Sequence, residues 1–313
     1  MTLVQWDAVD KVRRDYNNCC GLWTFLGEAV GSRGVGVRRI ELAPDEVPTP
    51  AHVHVDDEEI FFVLAGSGLS WQKGETHEIR AGDCLVHRAR GAPHTLRAGP
   101  EGLDVLAFGP RSRPGSTFLP NQHTAWLGPH WIEGVAAGEH PYAREPVLEW
   151  PDPSPRPPSI VNLDELEGDY GGRAKRLARE SGAERSGLNW ARLEDGEEGA
   201  PPHCHTAEEE LFVVLDGEGT LELWAPPSPE EPRRTEPQET HPLRRGHVVS
   251  RPPGTRIAHS FRGGPGGLTY LLYGTKEPND VCWYPRSNKI FWRGLGVIGR
   301  IESLDYSDGE PID

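Results

Sequence analysis

Residues 51–68 read AHVHVDDEEIFFVLAGSG, and residues 202–219 read PHCHTAEEELFVVLDGEG. The two stretches align without a gap, and the second lies 151 residues after the first. A His-x-His segment, a glutamate and an apolar run that ends at a glycine turn therefore occur twice. Self-similarity at a fixed distance indicates a duplicated structural unit. We predict two copies of one domain in this chain.

Each copy has the pattern of short β-strands joined by turns. Residues 60–64, IFFVL, are strand-sized, rich in aromatic and β-branched side chains, and followed by the turn sequence GSG at residues 66–68. The chain contains 37 glycines and 30 prolines in 313 residues and shows little 3.6-residue periodicity. We predict a mainly β fold with few short helices, and residues 163–167 and 173–180 as the places for them.

The match between the copies resumes at residues 106–109 and 271–274, so the second copy is longer between its motifs. Much of the extra length lies in residues 225–232, which predict an exposed loop. A proline-rich stretch at residues 144–158 separates the copies and has the composition of an extended connector. We predict an N-terminal domain at residues 1–143, including an N-terminal extension, a linker at 144–160 and a C-terminal domain at 161–313.

Composition argues against several classes of partner. The formal charge of −15 and the pI near 5.3 would repel nucleic acid and anionic lipid, and no basic run offsets them. The apolar runs are too short to cross a bilayer, and the N-terminus has no signal-peptide pattern. Five scattered cysteines fit a reducing compartment. We expect a cytoplasmic protein that binds neither nucleic acid nor membranes.

The duplicated motif predicts a metal site. In a strand, residues i and i+2 point to one face, so His52 and His54 can aim at one point. Glu59 begins the neighbouring apolar strand, and His94 follows a later tight turn and supplies a fourth ligand. Imidazole and carboxylate together suit first-row divalent metals. The second copy repeats the set with His203, His205, Glu210 and His259.

The full pattern is His-x-His, four residues, Glu, six residues, Gly and a late His, and it resembles the cupin superfamily. Because both halves carry the pattern, the chain resembles a bicupin, including a group of uncharacterised bacterial bicupins. The resemblance implies two cupin-type barrels of the double-stranded β-helix, or jelly-roll, kind. It also implies a divalent transition metal at each barrel centre, and therefore up to two per chain. The second copy departs in its turn, with four residues between Gly254 and His259 against two between Gly91 and His94.

Three neutral imidazoles and one carboxylate leave a divalent metal with a net charge of about +1 and, if octahedral, two open positions. Fe, Mn, Ni, Cu and Zn all suit these ligands. The sequence favours an enzyme, with a dioxygenase-type oxidoreductase acting on a small oxygenated organic molecule as the leading hypothesis. The alternatives are a Lewis-acid isomerase or decarboxylase and a non-catalytic metal- or small-molecule-binding cupin. The sequence assigns no catalytic residue, and it leaves a homodimer open.

Other side chains near the motifs have two interpretations each. Cys204 lies between two predicted ligands, but strand alternation turns its thiol away, so we expect it to pack. Arg88, Arg90 and Arg251 follow the late strands and either bind a substrate carboxylate or are solvated. The histidines outside the two motifs, His87 among them, are expected to be ordinary surface or core residues.

Overall fold

The computed structural model of the chain describes residues 2–111, 115–128, 130–133, 140–226, 235–302, 304 and 306–310. The predicted loop at 225–232 lies largely outside these residues. Strands dominate the first half of the described chain. They are β1 (Thr2–Gln5), β2 (Lys11–Tyr16), β3 (Cys19–Thr24), β4 (Val35–Leu42), β5 (Val53–His54), β6 (Glu59–Gln72), β7 (Glu75–Arg80), β8 (Asp83–His87), β9 (His94–Pro110), β10 (Ser116–Leu119), β11 (Thr124–Leu127) and β12 (His130–Glu133).

The second half repeats this order of elements. Its strands are β13 (Ile160–Asn162), β14 (Ala174–Lys175), β15 (Ser186–Leu193), β16 (Cys204–His205), β17 (Glu210–Trp224), β18 (Glu239–Arg244), β19 (His247–Arg251), β20 (Ala258–Thr275), β21 (Val281–Tyr284), β22 (Lys289–Trp292) and β23 (Val297–Arg300).

Helices are short throughout the described residues. The α-helices are α1 (Leu26–Ala29) and α2 (Leu177–Glu180), and the 3-10 turns are Trp6–Ala8, Pro120–Gln122, Pro141–Arg144, Leu163–Glu165 and Arg293–Leu295. Both stretches predicted to hold a helix contain one of these. The prediction of a mainly β fold with few short helices is confirmed. No helix in the described part of the chain is long and apolar enough to span a membrane.

Each half is a barrel built from a large and a small sheet. In the first barrel the large sheet has the order β13-β8-β6-β9-β4-β3-β2, with β7 added to β6, and the small sheet has the order β12-β11-β10-β5. In the second barrel the orders are β1-β19-β17-β20-β15-β14, with β18 added to β17, and β16-β21-β22-β23. The strand pairs are antiparallel, so alternate side chains face the barrel interior.

That alternation divides the apolar residues into three cores. Along β6, Phe61 and Val63 join the core inside the first barrel, while Ile60 and Phe62 point the other way. The outward residues meet their counterparts from β17 in a third core between the barrels, and the second barrel has its own interior core. Phe108 and Tyr273 stack across this boundary with ring centroids 5.3 Å apart. The two barrels therefore share a continuous apolar interface.

Each barrel also lends a strand to the other. β1 pairs with β19 of the second barrel, with Leu3 opposite Val249. β13 pairs in the same way with β8 of the first barrel, with Val161 opposite Cys84. The proposed boundary at residues 144–160 thus separates two barrels that exchange strands. The large sheet of each barrel includes one strand from the part of the chain on the other side of the boundary.

The proline-rich connector is bound along the first barrel. The Glu149 carbonyl accepts a hydrogen bond from the Trp71 indole N–H at 3.1 Å, and the Pro151 carbonyl accepts one from the Thr76 hydroxyl at 2.6 Å. Arg156 reaches the buried Asp83 carboxylate at 3.0 Å. Residues 145–159 of the connector contain no helix or strand, and side chains of β6, β7 and β8 contact it.

Two buried glutamates bind the barrels to each other, and we call them the inter-barrel clasp. Glu58 of the first barrel accepts hydrogen bonds from the backbone N–H groups of residues 184, 185 and 186 and from the Ser186 hydroxyl, at 2.7 to 3.0 Å. Glu209 of the second barrel accepts from the backbone N–H groups of residues 33 and 34, at 2.5 to 3.1 Å. Each clasp residue immediately precedes a predicted metal ligand.

Gly66 occupies a bulge in β6 that only glycine fits. Its φ is +79°, and a Cβ there would lie 2.2 Å from the Gly102 carbonyl oxygen. We expect Gly66→Ala to lower the free energy of unfolding by about 2–3 kcal/mol, because both the backbone conformation and the close contact oppose a side chain. Chemical denaturation measures this loss.

Gly74 provides the matched control for this prediction. Its φ is +94°, but a Cβ there meets nothing within 4 Å. Gly74→Ala should therefore cost only about 1 kcal/mol, the penalty of the backbone conformation alone. Equal losses in the two variants would show that the close approach at Gly66 does not matter.

Candidate metal centres

The first predicted set converges inside the first barrel. His52 and His94 face each other across a β-bridge with backbone hydrogen bonds of 3.1 and 2.9 Å, His54 lies on β5, and Glu59 begins β6. The Oε2 atom of Glu59 lies 3.3, 3.5 and 3.0 Å from the Nε2 atoms of His52, His54 and His94. All four donor atoms lie within 4.8 Å of one another.

The second set repeats this arrangement in the second barrel. A bridge joins His203 to His259, His205 lies on β16 and Glu210 begins β17. The Oε2 atom of Glu210 lies 3.6, 3.4 and 3.1 Å from the Nε2 atoms of His203, His205 and His259. The longer turn before His259 therefore does not displace its ring. The structure places three histidines around the glutamate in each barrel, but in the second barrel only His203, Glu210 and His259 have their donor atoms all within 4.8 Å of one another.

Backbone carbonyls orient several of the imidazoles. The Nδ1 atom of His52 lies 2.9 Å from the Pro50 carbonyl, and that of His94 lies 3.1 Å from the Ala92 carbonyl. His203 makes the equivalent contact at 2.8 Å. A carbonyl only accepts hydrogen bonds, so the proton stays on Nδ1 and the lone pair of Nε2 faces the centre. This tautomer is the one that binds a metal through Nε2.

The inward-facing atoms fit a divalent cation. The Nε2 atoms of His54, His205 and His259 and the Oε2 atom of Glu210 are buried and have no hydrogen-bond partner among the described residues. Buried polar atoms without partners are costly and rare in native structures. Three imidazole nitrogens and one carboxylate oxygen aimed at one point are the donors that a first-row divalent metal takes.

The ionisation of the two glutamates and of the two late histidines agrees with that use. Burial raises the pKa of Glu59 and of Glu210, but the surrounding imidazoles outweigh it and hold both values well below normal. Burial lowers the pKa of His94 to about 4 and that of His259 to about 3. The carboxylates are therefore charged and these two imidazoles neutral near pH 7. Metal binding requires those protonation states.

Comparison with known proteins identifies the fold. Residues 38–107 match the family described as cupin domain. Oxalate decarboxylase from Bacillus subtilis superposes with a TM-score of 0.58 at 16% sequence identity, covering 87% of this chain and 76% of that one. The chain folds as a bicupin. A search of the curated proteins found no match.

Two other solved structures share the bicupin fold. The formate complex of Lactobacillus farciminis oxalate decarboxylase has a TM-score of 0.59 at 14% identity, and covers 90% of this chain and 88% of that one. A further Bacillus subtilis oxalate decarboxylase structure, described for its Mn(II) centres, has a TM-score of 0.57 at 16% identity, with 87% and 76% covered. At identities of 14–16%, these structural similarities show the fold alone, and that fold is the one the sequence pattern predicts.

The two centres of the bicupin differ in how their second histidine is held. His54 Nδ1 lies 3.1 Å from the Thr117 hydroxyl, whereas His205 Nδ1 donates to the Asp280 carboxylate at 2.7 Å. Asp280 is buried and also accepts three backbone N–H bonds at 2.9 to 3.2 Å. Burial lowers the pKa of His205, but Asp280 and Glu210 outweigh it and raise the pKa to about 10. In the absence of a metal this imidazole is therefore protonated near pH 7, and a metal at the second centre has to displace that proton.

A thiol lies close to the second centre. Cys282 is opposite His205 on the paired strand, the place that Thr117 takes opposite His54. Its Sγ lies within 4.8 Å of a ring nitrogen of both His203 and His205. Burial raises the pKa of Cys282 to about 12, so the group is a thiol when no metal is bound.

The residue opposite the glutamate ligand also differs between the centres. In the first barrel it is His87, whose ring stacks on His94 with centroids 3.7 Å apart and an interplanar angle of 2°. In the second barrel it is Arg251, opposite Glu210. The sequence predicts His87 to be an ordinary surface or core residue. His87 is buried, but it also stacks on a predicted ligand ring, which the sequence did not indicate. Its strand register with Glu59 is the signal that would have found it.

The three arginines considered from the sequence differ in their exposure to solvent. Arg88 and Arg90 have side chains 54% and 76% exposed and form ion pairs with Glu184 and Asp56. Arg251 is only 5% exposed. Cys204 does not contribute to any of the donor groups found in the described residues. Arg251 is the arginine whose position suits a role at a centre.

Proposed function

We propose that this bicupin is a metal-dependent enzyme that acts on a small oxygenated organic molecule. The observation that carries the proposal is the convergence of three histidines and one glutamate in each barrel, at His52, His54, Glu59 and His94 and at His203, His205, Glu210 and His259. Structural metal sites close all ligand positions with protein atoms, whereas catalytic sites keep positions open. A set of four donors suits the second kind when the metal is octahedral.

The residues around the donors define the chemistry. A divalent metal held there supplies Lewis-acid polarisation of a substrate oxygen. Phe61 and Phe212 lie edge-on to the late histidines, with ring centroids 6.4 and 5.4 Å away, and keep water from that side of each centre. Fe, Mn, Ni, Cu and Zn stay candidates. The Mn(II) centres of the Bacillus subtilis oxalate decarboxylase make Mn(II) the first metal to test.

Two reaction classes suit such a centre. The dioxygenase-type oxidation predicted from the sequence stays a proposal and is supported by the imidazole–carboxylate ligand set. Oxygen-independent decarboxylation or isomerisation is supported by the same ligands and by two further observations. One is the fold similarity to oxalate decarboxylases, and the other is the buried cation Arg251 beside the second centre, which suits an acidic substrate. We therefore place the oxygen-independent class first.

Turnover under two atmospheres tests this order. Protein reconstituted with Mn(II), and then with each other metal, is incubated with small dicarboxylic acids, keto acids, enols and catechols in air and under argon. We expect carbon dioxide or an isomer to form from an acid under argon, because neither reaction consumes an oxidant. The Glu59→Gln/Glu210→Gln double variant is the inactive control.

The remaining outcomes separate the alternatives. Oxygen uptake matched to product, with no product under argon, would move the assignment to the dioxygenase class. Tight binding of a compound from the panel without turnover under either atmosphere would instead support a non-catalytic binding cupin.

A further inference from the structure

We propose that the second barrel binds a small carboxylate anion and that Arg251 is the group that holds it. The inference rests on the proposed function in one respect, since it identifies the acidic substrate class for one of the two centres. It distinguishes the centres from each other, because the first barrel has His87 at the corresponding position.

The strand register places Arg251 on the side of the metal donors. Residues directly opposite in antiparallel strands project to the same face, with Cβ atoms about 4.5–5.5 Å apart. Arg251 at the end of β19 is opposite Glu210, which faces the centre. The Nη2 atom of Arg251 donates at 2.6 Å to the Ile257 carbonyl, two residues before His259. The guanidinium therefore lies beside both Glu210 and His259.

Arg251 is a buried cation with few partners. It is 5% exposed, its Nε is buried without a hydrogen-bond partner, and among the described residues the carboxylate whose charge acts on it, Glu210, makes no ion pair with it within 4.0 Å. By contrast, Arg39, also largely buried, makes paired bonds to Asp104 at 2.8 and 3.0 Å. Glu210 is also the carboxylate of the proposed metal donors, so a metal bound there would leave the buried guanidinium without a counterion of its own, which is strongly unfavourable. A bound carboxylate satisfies its remaining donors in the two-point geometry that arginine favours.

The net charge of the second centre, with a divalent metal bound, also favours an anionic ligand. A divalent cation and one glutamate give about +1 in the first barrel, and Arg251 raises this to about +2 in the second. Asp280 returns one negative charge, but it lies behind His205 and is bound by three backbone N–H groups. The positive charge thus concentrates on the side of Arg251. The side chains of His203 and Glu210 are 13% and 11% exposed, so the centre communicates with solvent.

The two late histidines also differ in how their Nδ1 atoms are held. In the first barrel the Ala92 carbonyl orients the Nδ1 of His94, whereas the equivalent Ile257 carbonyl is taken by Arg251. The Nδ1 of His259 has no hydrogen-bond partner among the described residues. The Ile257 carbonyl therefore orients the guanidinium rather than the ligand imidazole. The geometry suits an anion-binding residue instead.

Formate binding to the Mn(II)-loaded protein tests the proposal without requiring turnover. All proteins carry Glu59→Gln, so that only the second centre is loaded, and formate is titrated by calorimetry and by the Mn(II) electron paramagnetic resonance spectrum. We expect Arg251→His and Arg251→Gln to reduce formate affinity at least about 10-fold, because a charge-assisted two-point contact is lost. Arg251→Lys should retain more affinity than either.

Metal content is the second measurement. In Arg251→His the Ile257 carbonyl becomes free for His259, so Mn(II) affinity should be retained or increased while formate affinity falls. The proposal is overturned if both neutral variants bind formate like the parent. It is also overturned if both lose Mn(II), since Arg251 would then be a structural part of the centre. A protein that binds formate through Arg251 but turns over no substrate would leave this inference standing and reject the proposed function.

Discussion

Replacing Glu59 with glutamine is expected to empty the first centre and leave the second one loaded. The Glu59 carboxylate is the sole negative ligand in its group and lies 3.0 to 3.5 Å from three imidazole nitrogens. Glutamine keeps the size but loses the charge. Because the loss of an outer-shell partner alone costs about 10–100-fold in metal affinity, the loss of a charged ligand should cost more. Elemental analysis should fall from two metal ions per chain to one.

Anomalous scattering at the metal edge assigns the remaining ion to a barrel. Glu210→Gln should give the opposite result, with metal kept at His52, His54, Glu59 and His94. Glu75→Gln on β7 is the control, because its side chain is 71% exposed and belongs to neither donor group. Full occupancy of both centres in Glu59→Gln would contradict the assignment of Glu59 as a ligand.

Removing one half of the inter-barrel clasp is expected to destabilise the whole molecule. The Glu58 carboxylate is 2% exposed and accepts four hydrogen bonds from residues 184–186 of the other barrel. Glu58→Ala leaves three backbone donors, one of them buried and two partly buried, and one buried hydroxyl without an acceptor. We expect the free energy of unfolding to fall by about 4 kcal/mol, since truncating one side of a buried, charged hydrogen-bond network costs about 2–5 kcal/mol. Chemical denaturation measures the loss.

Two comparisons make this result specific. Glu209→Ala removes the reciprocal contacts to residues 33 and 34 and should cost a similar amount. Glu101→Ala, at an exposed position on β9, should change stability by less than about 0.5 kcal/mol. If Glu58→Ala lost no more than Glu101→Ala, the clasp would not contribute to the association of the barrels.

The duplicated motif predicts the ligands well because strand geometry is local. Two residues of separation place His52 and His54 on one face wherever the strand lies, and the constant distance between copies carries the same conclusion to His203 and His205. The predicted barrels and the minor helical content follow from that periodicity and from the abundance of glycine and proline. Predictions of this kind depend only on residues close together in the sequence, so they do not require the tertiary contacts to be known.

The contacts that distinguish the two centres depend on pairing between strands far apart in sequence. His87 and Arg251 are different residue types in copies with different spacing, so alignment of the motifs does not match them. Glu58 and Glu209 lie inside acidic runs, DDEE at residues 56–59 and EEE at 208–210, which are typical of a solvated surface. Alternation along β6 and β17 turns the penultimate glutamate of each run towards the other barrel. That orientation depends on the interface, which no single motif encodes.

The strands exchanged between the barrels constrain the order in which the two barrels fold. During synthesis β1 emerges long before β19, its partner in the second barrel, and Leu3 waits for Val249. At ribosomal rates of about 5–20 residues per second, that delay is roughly 10–50 s. The first barrel, by contrast, obtains β13 as soon as residues 160–162 are made, and this strand covers the edge of β8. The first barrel can therefore complete its sheets while the second is still being synthesised, whereas the second barrel has to recover β1 from the start of the chain and should reach the native state late in translation.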